Sequence, residues 1–434
     1  MRHFMITPGG KLSGRIRVPG DKSISHRTLI LGAMAEGVTR ISGFLESTDC
    51  LATRIALEAL GVKIETAAGK ITVYGAGLQG LRAPAAALDM GNSGTAMRIL
   101  CGVLAGQPFI STLTGDASLR RRPMRRVIEP LASMGAVIDS EQGCAPLTVH
   151  GQAALKPLRY ELPVASAQVK SALLLAGLNA DGYTWLREPG ISRDHTERML
   201  EAFGCVCLRA DGWLGIHGGT KLNGMDIEVP GDLSSAAFFM LGATIQRDSH
   251  LIVEQVGINP TRSGVITLLR KMGADIRVSN ERAMGSEPVA DLEIRGAALH
   301  GIHIMADQVP LAIDEIPVLM IAAALARGDT VLEGAAELRV KESDRLQAIA
   351  DGLRALGVKV ELWADGMRVT GINAFSGGEV NSHGDHRIAM AFAMAGLRAT
   401  APIRIADSRN VETSFPGFAG LARDTGLDLD EAGR

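Results

Sequence analysis

Positively charged residues recur in this sequence beside short segments that are typical of helix starts. Lys22 and Arg27 follow Gly20-Asp21, and Arg387 follows Gly384-Asp385. Asp, Ser and Asn are preferred N-cap residues, and a helix N-terminus presents unpaired backbone N–H groups with a partial positive charge. Such a terminus with an added Lys or Arg is suited to bind phosphate or carboxylate groups. The pattern therefore indicates the binding of small anions.

Further cations extend this pattern. Arg98 and Lys170 stand one turn into two other helix starts, and residues 120–126 and 339–345 are rich in Arg and Lys. Taken alone, each cation is also consistent with a solvated face, and the segment 120–126 with a nucleic-acid patch. Their recurrence at one type of position favours a pocket for several anions.

The sequence indicates neither a metal site nor a disulfide framework. His383 and His386 are three residues apart, but no third ligand stands at a recognisable metal-site spacing. The five cysteines are odd in number and form no CxxC pair, so we interpret them as small buried hydrophobic residues. We predict no metal and no cofactor.

The elements that must position these residues repeat six times along the chain. An apolar helix end, a glycine and a short strand recur at Gly61, Gly135, Gly204, Gly273 and Gly357, and more weakly at Gly426. Each glycine is expected just after a helix, where the left-handed conformation costs Gly little. The helices that follow the polar starts are apolar nearly all the way round, which predicts buried helices. Six units of about 72 residues, three per domain, predict two domains of similar size.

Composition excludes several classes of protein. The 434 residues are 46% hydrophobic with a formal net charge of −2, which disfavours intrinsic disorder, a globally basic nucleic-acid binder and a polybasic membrane protein. The longest apolar run, 316–326, is shorter than the roughly 20 residues that span a bilayer, and the first residues lack the apolar region of a secretory signal. We expect a soluble, cytoplasmic protein.

The string Pro-Gly-Asp-Lys-Ser-Ile-Ser-His-Arg at 19–27 resembles the 5-enolpyruvylshikimate-3-phosphate (EPSP) synthase family. The resemblance continues in order through 91–98, 119–124, 165–171, 192–197, 339–345 and 385–387. It implies an α/β fold of two similar domains, each of three βαβαββ units around buried parallel helices, an inverse α/β barrel. The domains would be 20–230 and 1–19 with 231–434, with hinges near 19–20 and 230–231, and they would close around the substrates.

The resemblance also implies a reaction and its substrates. This family transfers the enolpyruvyl group of phosphoenolpyruvate to the 5-hydroxyl of shikimate 3-phosphate and releases phosphate, a step in aromatic amino-acid biosynthesis. By resemblance, phosphoenolpyruvate is held by Lys22, Arg122, Arg345 and Arg387 beside Gly94. Shikimate 3-phosphate is held by Ser23, Arg27, Ser166, Ala167, Gln168, Arg193, Asp314 and Lys341, and His386 completes the implied substrate site.

The reaction passes through a tetrahedral intermediate and needs proton transfer in both directions. The 5-hydroxyl loses a proton as it attacks C2 of phosphoenolpyruvate, while C3 gains one. Asp314 and Glu342 are the carboxylates beside cations and are suited to general acid–base chemistry. Our hypothesis makes Asp314 the base and Glu342 the proton donor, with Lys22 and Lys341 in supporting catalytic roles.

Two positions depart from the better-studied bacterial pattern. Thr413 stands where some members have a late lysine, and Ala167 where some have a second serine. Enzymes of this family are targets of glyphosate, and these two positions, together with Arg193, resemble its glyphosate-tolerant class. Residues 92–94, however, keep the glycine that is associated with sensitivity to glyphosate.

Two alternatives stay open at this point. UDP-N-acetylglucosamine enolpyruvyl transferase shares the fold and chemistry but usually has a reactive Cys or Asp in the loop at 115–124, where this chain has Asp116 and no cysteine. A non-catalytic or RNA-binding repeat protein could use 120–126, but that segment has no interleaved aromatic residues. We expect small-molecule substrates, no nucleic-acid or membrane partner, and a monomer.

Overall fold

Four-stranded sheets and buried helices alternate through the computed structural model, which describes residues 2–433. The chain groups into two units. Unit 1 comprises the chain up to Pro19, Pro230–Ala283 and the chain from Pro288 onward, and unit 2 comprises Gly20–Val229 with Met284–Glu287. That the units are domains that close about hinges stays a prediction.

The strands are, in chain order, β1 (His3–Ile6), β2 (Ser13–Ile16), β3 (Val38–Ser42), β4 (Lys63–Ala67), β5 (Lys70–Tyr74), β6 (Leu88–Asp89), β7 (Ile110–Thr114), β8 (Val137–Glu141), β9 (Cys144–His150), β10 (Arg159–Glu161), β11 (Tyr183–Arg187), β12 (Leu208–Ala210), β13 (Trp213–His217), β14 (Asp226–Glu228), β15 (His250–Gly257), β16 (Asp275–Met284), β17 (Glu287–Arg295), β18 (His303–Ile304), β19 (Asp329–Leu332), β20 (Val360–Trp363), β21 (Gly366–Thr370), β22 (Gly378–Asn381), β23 (Ile403–Ala406) and β24 (Leu429–Ala432). The helices are α1 (Lys22–Met34), α2 (Thr48–Ala59), α3 (Gly94–Ala105), α4 (Arg125–Ser133), α5 (Ala167–Gly177), α6 (His195–Ala202), α7 (Leu233–Ile245), α8 (Gly264–Lys271), α9 (Val309–Ala312), α10 (Ile316–Ala324), α11 (Arg345–Ala355), α12 (His386–Ala395) and α13 (Phe418–Thr425). Short 3-10 segments occur at Leu119–Arg121, Ile313–Glu315, Ala336–Val340, Gly396–Arg398 and Ser408–Thr413.

The described strands form six sheets with one common plan. Unit 2 contains the orders β14-β3-β5-β4, β6-β7-β9-β8 and β10-β11-β13-β12, and unit 1 contains β16-β17-β15-β2, β18-β19-β21-β20 and β22-β23-β1-β24. One edge strand of each sheet is parallel to its neighbour. That neighbour is antiparallel to the next strand. The sixfold repeat predicted from the sequence is therefore confirmed as six structural units.

Six buried helices begin at the predicted polar starts: α1, α3 and α5 in unit 2, and α7, α10 and α12 in unit 1. Five of them have an N-cap side chain that accepts a backbone N–H of the first turn: Asp21, Ser93, Ser166, Asp232 and Asp385. Helix α10 differs, because it follows a 3-10 segment and has Pro317 in its first turn. Asp314 is therefore not a helix cap, and its carboxylate is directed elsewhere.

The recurring glycines end six of the other seven described helices, α2, α4, α6, α8, α11 and α13, as predicted. Gly61, Gly135, Gly204, Gly273 and Gly357 have φ between +86° and +101°, and Gly426 has φ +116°. Any residue with a Cβ would be strained in this left-handed region. Each glycine therefore stops its helix and directs the chain into the next strand.

Each unit has its own hydrophobic core. In unit 2, α3 and α5 approach so closely that a Cβ added at Gly102 would lie 2.1 Å from the carbonyl oxygen of Ala172. In the described part of the chain, none of the helices combines the length and apolar character needed to cross a bilayer.

Candidate active site

The start of α1 carries three predicted site residues. The Nζ atom of Lys22 lies 3.2 Å from Oδ2 of Asp49, with both side chains largely buried. The carbonyl oxygen of Ser23 accepts a hydrogen bond of 2.9 Å from Arg27. Burial, together with the positive charges of Lys22 and Arg27, lowers the pKa of the neighbouring His26 to about 3. His26 is therefore a neutral, structural residue at neutral pH.

Arg27 is 3% exposed and is held by oxygen atoms that carry no formal charge. Its Nε donates to the hydroxyl of Thr196 at 2.6 Å, and one terminal nitrogen donates to the hydroxyl of Ser171 at 2.7 Å. Burial lowers the pKa of Arg27 to about 10, while the negative charge of Glu197 opposes this effect and the positive charge of Arg193 adds to it. The guanidinium therefore stays charged at neutral pH.

Three predicted site residues, Gly94, Gln168 and Arg122, lie around the side chain of Arg98. Arg98 donates to Oε1 of Gln168 at 2.6 Å, and Gln168 donates to Thr95 at 2.9 Å. A Cβ added at Gly94 would lie 2.9 Å from Arg98 and 3.2 Å from Arg122. The glycine at this helix start therefore leaves space for two guanidinium groups, and its lack of a side chain keeps the backbone accessible between them.

Arg122 lies in the loop after the 3-10 segment and is 8% exposed. It donates to the side-chain oxygen of Asn92 at 2.7 Å, and Asn92 in turn donates to Asp116 at 2.7 Å. Asp116 also accepts the backbone N–H of Leu119 at 2.7 Å. The carboxylate therefore holds the arginine-bearing loop in shape.

Lys170 does not have the role that the sequence pattern suggested. It is 5% exposed, and its Nζ lies 2.7 Å from both Glu188 and Glu197. Because both carboxylates neutralise its charge, Lys170 is not a cation offered to an anion. Glu188 also accepts the backbone N–H of Ser166 at 2.9 Å, which fixes the residue before Ala167 at the start of α5.

In unit 1, Arg345 joins three carboxylates. It is the first residue of α11 and is 1% exposed. Its nitrogen atoms lie 2.7 Å from Asp385, 2.5 Å from Glu342 and 3.3 Å from Asp314. Burial alone would lower the pKa of Arg345, but Asp385, Glu342 and Asp314 together raise it. The two predicted acid–base carboxylates thus contact one permanently charged guanidinium.

Arg387 extends the same cluster from the first turn of α12. Its terminal nitrogens lie 3.4 Å from the carboxylate and 3.3 Å from the backbone oxygen of Asp314. The adjacent His386 is 4% exposed and is the first residue of α12. A guanidinium and a helix N-terminus therefore share this position.

Lys341 follows a 3-10 segment and lies 3.6 Å from Glu337. The side chain of Lys341 is 27% exposed. Desolvation by the surrounding protein lowers the pKa of its ammonium group, and the negative charge of Asp314 partly opposes this decrease. A lysine with a lowered pKa exchanges protons more readily than a solvated one.

The structure therefore brings the predicted residues together in two clusters. In unit 2, Gly94, Arg122 and Gln168 lie around Arg98. The same unit carries Lys22, Ser23 and Arg27 on α1, and Ser166 and Ala167 at the start of α5. Unit 1 joins Asp314, Glu342, Arg345 and Arg387, with Lys341 and His386 beside them in the sequence. Arg193 lies in the loop before α6, and its charge acts on Arg27.

Two members of these clusters were absent from the predicted site. The sequence marks Arg98 only as a cation at a helix start and Asp385 only as part of a motif. A signal for Asp385 was present, since it caps α12 beside Arg387 and the capping position itself points to a buried carboxylate. Over residues 2–433, no group of His, Cys, Asp and Glu side chains has the arrangement of a metal site, and His383 with His386 is no exception.

This arrangement is suited to hold anions and to move protons. Unit 2 offers guanidinium groups and helix N-termini that bind phosphate and carboxylate groups. Unit 1 offers carboxylates in contact with guanidinium groups and a lysine with a lowered pKa, which are groups of the kind used in general acid–base chemistry.

Comparisons with known proteins agree with this chemistry. The family model for EPSP synthase (3-phosphoshikimate 1-carboxyvinyltransferase) matches residues 6–421. A 3-phosphoshikimate 1-carboxyvinyltransferase of Alkalilimnicola ehrlichii is 61% identical over 428 residues, covering 98% of this chain and 96% of the relative. The same enzyme of Methylococcus capsulatus is 59% identical, with 98% of each chain covered. The structure is similar to that of EPSP synthase from Acinetobacter baumannii, with a TM-score of 0.89, 52% identity and full coverage of both chains.

These similarities confirm three predictions: the family, the two-domain α/β fold class and the enzyme class, a transferase of the shikimate pathway that acts on small-molecule substrates. They favour that function over the nucleotide-sugar and RNA-binding alternatives. The chain belongs to the EPSP synthase family.

Proposed function

We propose that this chain transfers the enolpyruvyl group of phosphoenolpyruvate to the 5-hydroxyl of shikimate 3-phosphate with the residues of the two clusters. The observation that carries this proposal is the contact of buried Arg345 with both Asp314 and Glu342. It joins a permanent cation to the two carboxylates that the reaction needs for proton transfer.

The anionic groups of the substrates bind to different cations. Arg27 holds shikimate 3-phosphate, with Ser23, Ser166, Ala167, Gln168 and Arg193. It donates to the hydroxyl groups of Thr196 and Ser171 and to the backbone oxygen of Ser23, which are uncharged, so its positive charge is left for the ligand. Phosphoenolpyruvate is held by Lys22, Arg122, Arg345 and Arg387, with Gly94 allowing close backbone approach, and His386 completes the site.

Proton transfer then proceeds in two stages. In the addition, the 5-hydroxyl oxygen bonds to C2 of phosphoenolpyruvate, its proton passes to Asp314, and Glu342 gives a proton to C3. In the elimination, the C2–O bond to phosphate breaks, the C3 proton returns to Glu342, and the phosphate leaves with the proton from Asp314. Lys22 and Lys341 stabilise the changing charge.

Arg345 couples substrate binding to the proton donor. A carboxylate beside a guanidinium is favoured in its ionised form. When the anionic groups of phosphoenolpyruvate bind Arg345 and Arg387, they compete with Glu342 for the same donors. Glu342 then loses part of that stabilisation and takes up a proton from solvent more readily, and this is the proton that it gives to C3.

The variants Asp314→Asn and Glu342→Gln test these two roles. Each keeps the size of the side chain but removes the carboxylate that takes up or gives the proton, so we expect kcat to fall by about 10²–10⁴-fold. The measurement is phosphate release, which must require both substrates. Glu361→Gln, at an exposed carboxylate on β20, is the matched control and should retain full activity. A near-normal kcat in Asp314→Asn or Glu342→Gln would remove that residue from its role.

The same assay separates the alternatives. Phosphate release with UDP-N-acetylglucosamine and none with shikimate 3-phosphate would support the nucleotide-sugar enzyme. RNA binding that weakens steeply with salt, without phosphate release, would support the RNA-binding alternative.

We further propose a monomer that works in the cytoplasm. Each proposed substrate contact comes from a single chain. The five cysteines are free thiols, and four of them are buried, which suits a reducing compartment. Sedimentation of the purified protein and fractionation of the producing cells test these two points.

A further inference from the structure

Two buried hydroxyl groups, on Thr196 and Ser171, contact the guanidinium of Arg27. We infer that Thr196 and Ser171 are positioning residues that fix the guanidinium of Arg27 for shikimate 3-phosphate without neutralising its charge. This inference rests on the proposed function of Arg27. Neither residue is among those proposed above to touch a substrate.

The hydrogen-bond geometry leaves one assignment of the hydroxyl protons. Ser171 donates to the backbone oxygen of Ala167 at 2.5 Å, so its oxygen can only accept from its other neighbours. Thr196 lies 2.6 Å from that oxygen and must be the donor between the two hydroxyls. The lone pairs of both oxygens therefore remain available to Arg27, and neither hydroxyl can rotate without losing a bond.

The lack of formal charge on these acceptors has a chemical consequence. A carboxylate in the place of Thr196 would hold Arg27 as firmly but would cancel its positive charge, as three carboxylates do for Arg345. Backbone and hydroxyl oxygens fix the orientation of Arg27 and leave its charge for a ligand anion. Arg27 is thus pre-arranged, which lowers the cost of ordering a long side chain on binding.

The segments that carry the two hydroxyls are themselves tied together. Ser171 lies on α5 next to Lys170, and Thr196 lies on α6 next to Glu197. Lys170 and Glu197 form a buried ion pair of 2.7 Å. This ion pair keeps α5 and α6 at a fixed distance beside Arg27. The hydroxyl groups of Ser171 and Thr196 are therefore held in place by two helices that are tied together.

The test compares Thr196→Val with Thr196→Ser. Valine has the shape of threonine without the hydroxyl, so Nε of Arg27 and the oxygen of Ser171 lose their partner. We expect the KM for shikimate 3-phosphate to rise about tenfold or more, since hydrogen bonds to charged groups have effects of this order. The KM for phosphoenolpyruvate and kcat should each change less than about threefold. Thr196→Ser should restore the KM.

Thr184→Val is the matched control. Thr184 is 0% exposed on β11 of the same unit, and its hydroxyl oxygen has no hydrogen-bond partner. Its replacement removes a buried hydroxyl without touching Arg27, so the KM for shikimate 3-phosphate should stay within about twofold of the wild-type value. Ser171→Ala is the second test variant, should Thr196→Val fail to fold, and it should raise the same KM.

Arg27→Met separates this inference from the proposed function. If Arg27→Met raises the KM for shikimate 3-phosphate but Thr196→Val and Ser171→Ala do not, the positioning role is wrong and the function of Arg27 stands. If Arg27→Met leaves that KM unchanged, the proposed function of Arg27 is wrong, and the inference falls with it. Equal increases in the KM for both substrates would also overturn the inference, because they would indicate a general loss of structure.

Discussion

His26 shows how much a single buried side chain at a helix start affects stability. Its ring lies 2.7 Å from the hydroxyl of Thr53 and 3.4 Å from that of Ser93, the N-cap of α3. The ring is fully buried, and its pKa is lowered to about 3, first by burial and then by Lys22. The folded protein therefore excludes a proton that the unfolded chain accepts at its ordinary pKa of 6.5.

We predict that His26 makes the protein sensitive to mild acid. Its contribution to stability is complete above pH 6.5 and is lost as the pH falls from 6.5 toward 3, because the unfolded state then binds the proton more tightly. In His26→Gln this loss should be absent. Between pH 7 and pH 4 the wild type should lose about 3 kcal/mol more unfolding free energy than the variant. Urea unfolding at both pH values measures the difference.

His300→Gln, at an exposed histidine, is the control for this experiment and should keep the wild-type pH dependence. If His26→Gln loses as much stability as the wild type between the two pH values, other groups cause the acid sensitivity.

At the scale of elements, α3 and α5 form the closest helix contact around the site of unit 2. Gly102 lies in the C-terminal half of α3, where an added Cβ would meet the backbone of Ala172 on α5. Arg98 and Gln168, near the N-termini of the same two helices, are joined by a hydrogen bond of 2.6 Å. The distance between the helices therefore sets the geometry at the site.

Gly102→Ala should separate the two helices. Overpacking against backbone is costly, so we expect the unfolding free energy to fall by about 1–3 kcal/mol and the KM values to rise as the Arg98–Gln168 contact lengthens. Gly420→Ala on α13 is the matched control, because nothing lies within 4 Å of its added Cβ. That variant should be neutral or slightly stabilising, since Ala favours helix over Gly. Equal stability of the two variants would contradict this account of the contact.

At the scale of the whole molecule, the two units have separate hydrophobic cores and separate tryptophan residues. Trp185 and Trp213 lie in unit 2, and Trp363 lies in unit 1. A chain with two cores is not required to unfold in a single transition. Fluorescence from Trp185 and Trp213 can therefore follow the unfolding of unit 2, and fluorescence from Trp363 can follow the unfolding of unit 1.

We predict that Gly102→Ala lowers the denaturation midpoint of unit 2 alone. In a background with Trp363 as the only tryptophan, Gly102→Ala should leave the denaturation midpoint near that of the same background without the substitution. In a background that keeps only Trp185 and Trp213, Gly102→Ala should lower the denaturation midpoint. A shift of the same size in both backgrounds would show that the units unfold as one cooperative body.

Much of this architecture could be predicted because it depends on local rules. Left-handed glycines end helices, and Asp or Ser begins them, wherever they stand in the chain. The partners of Lys170 could not be predicted in this way, because Glu188 and Glu197 reach it from a loop and from another helix. The position of Asp314 was also beyond local rules, since the 3-10 segment before α10 turns its carboxylate toward two arginines.

The cluster around Arg345 has a consequence for which anions the site accepts. Arg345 and Arg387 carry two positive charges, and Asp314, Glu342 and Asp385 carry three negative charges, so these five groups sum to −1 at neutral pH. An incoming anion must exchange places with carboxylates of the protein. A single weak anion such as chloride gains little from that exchange. A ligand with two anionic groups on one small skeleton gains from both arginines at once, so selectivity arises from competition inside the site.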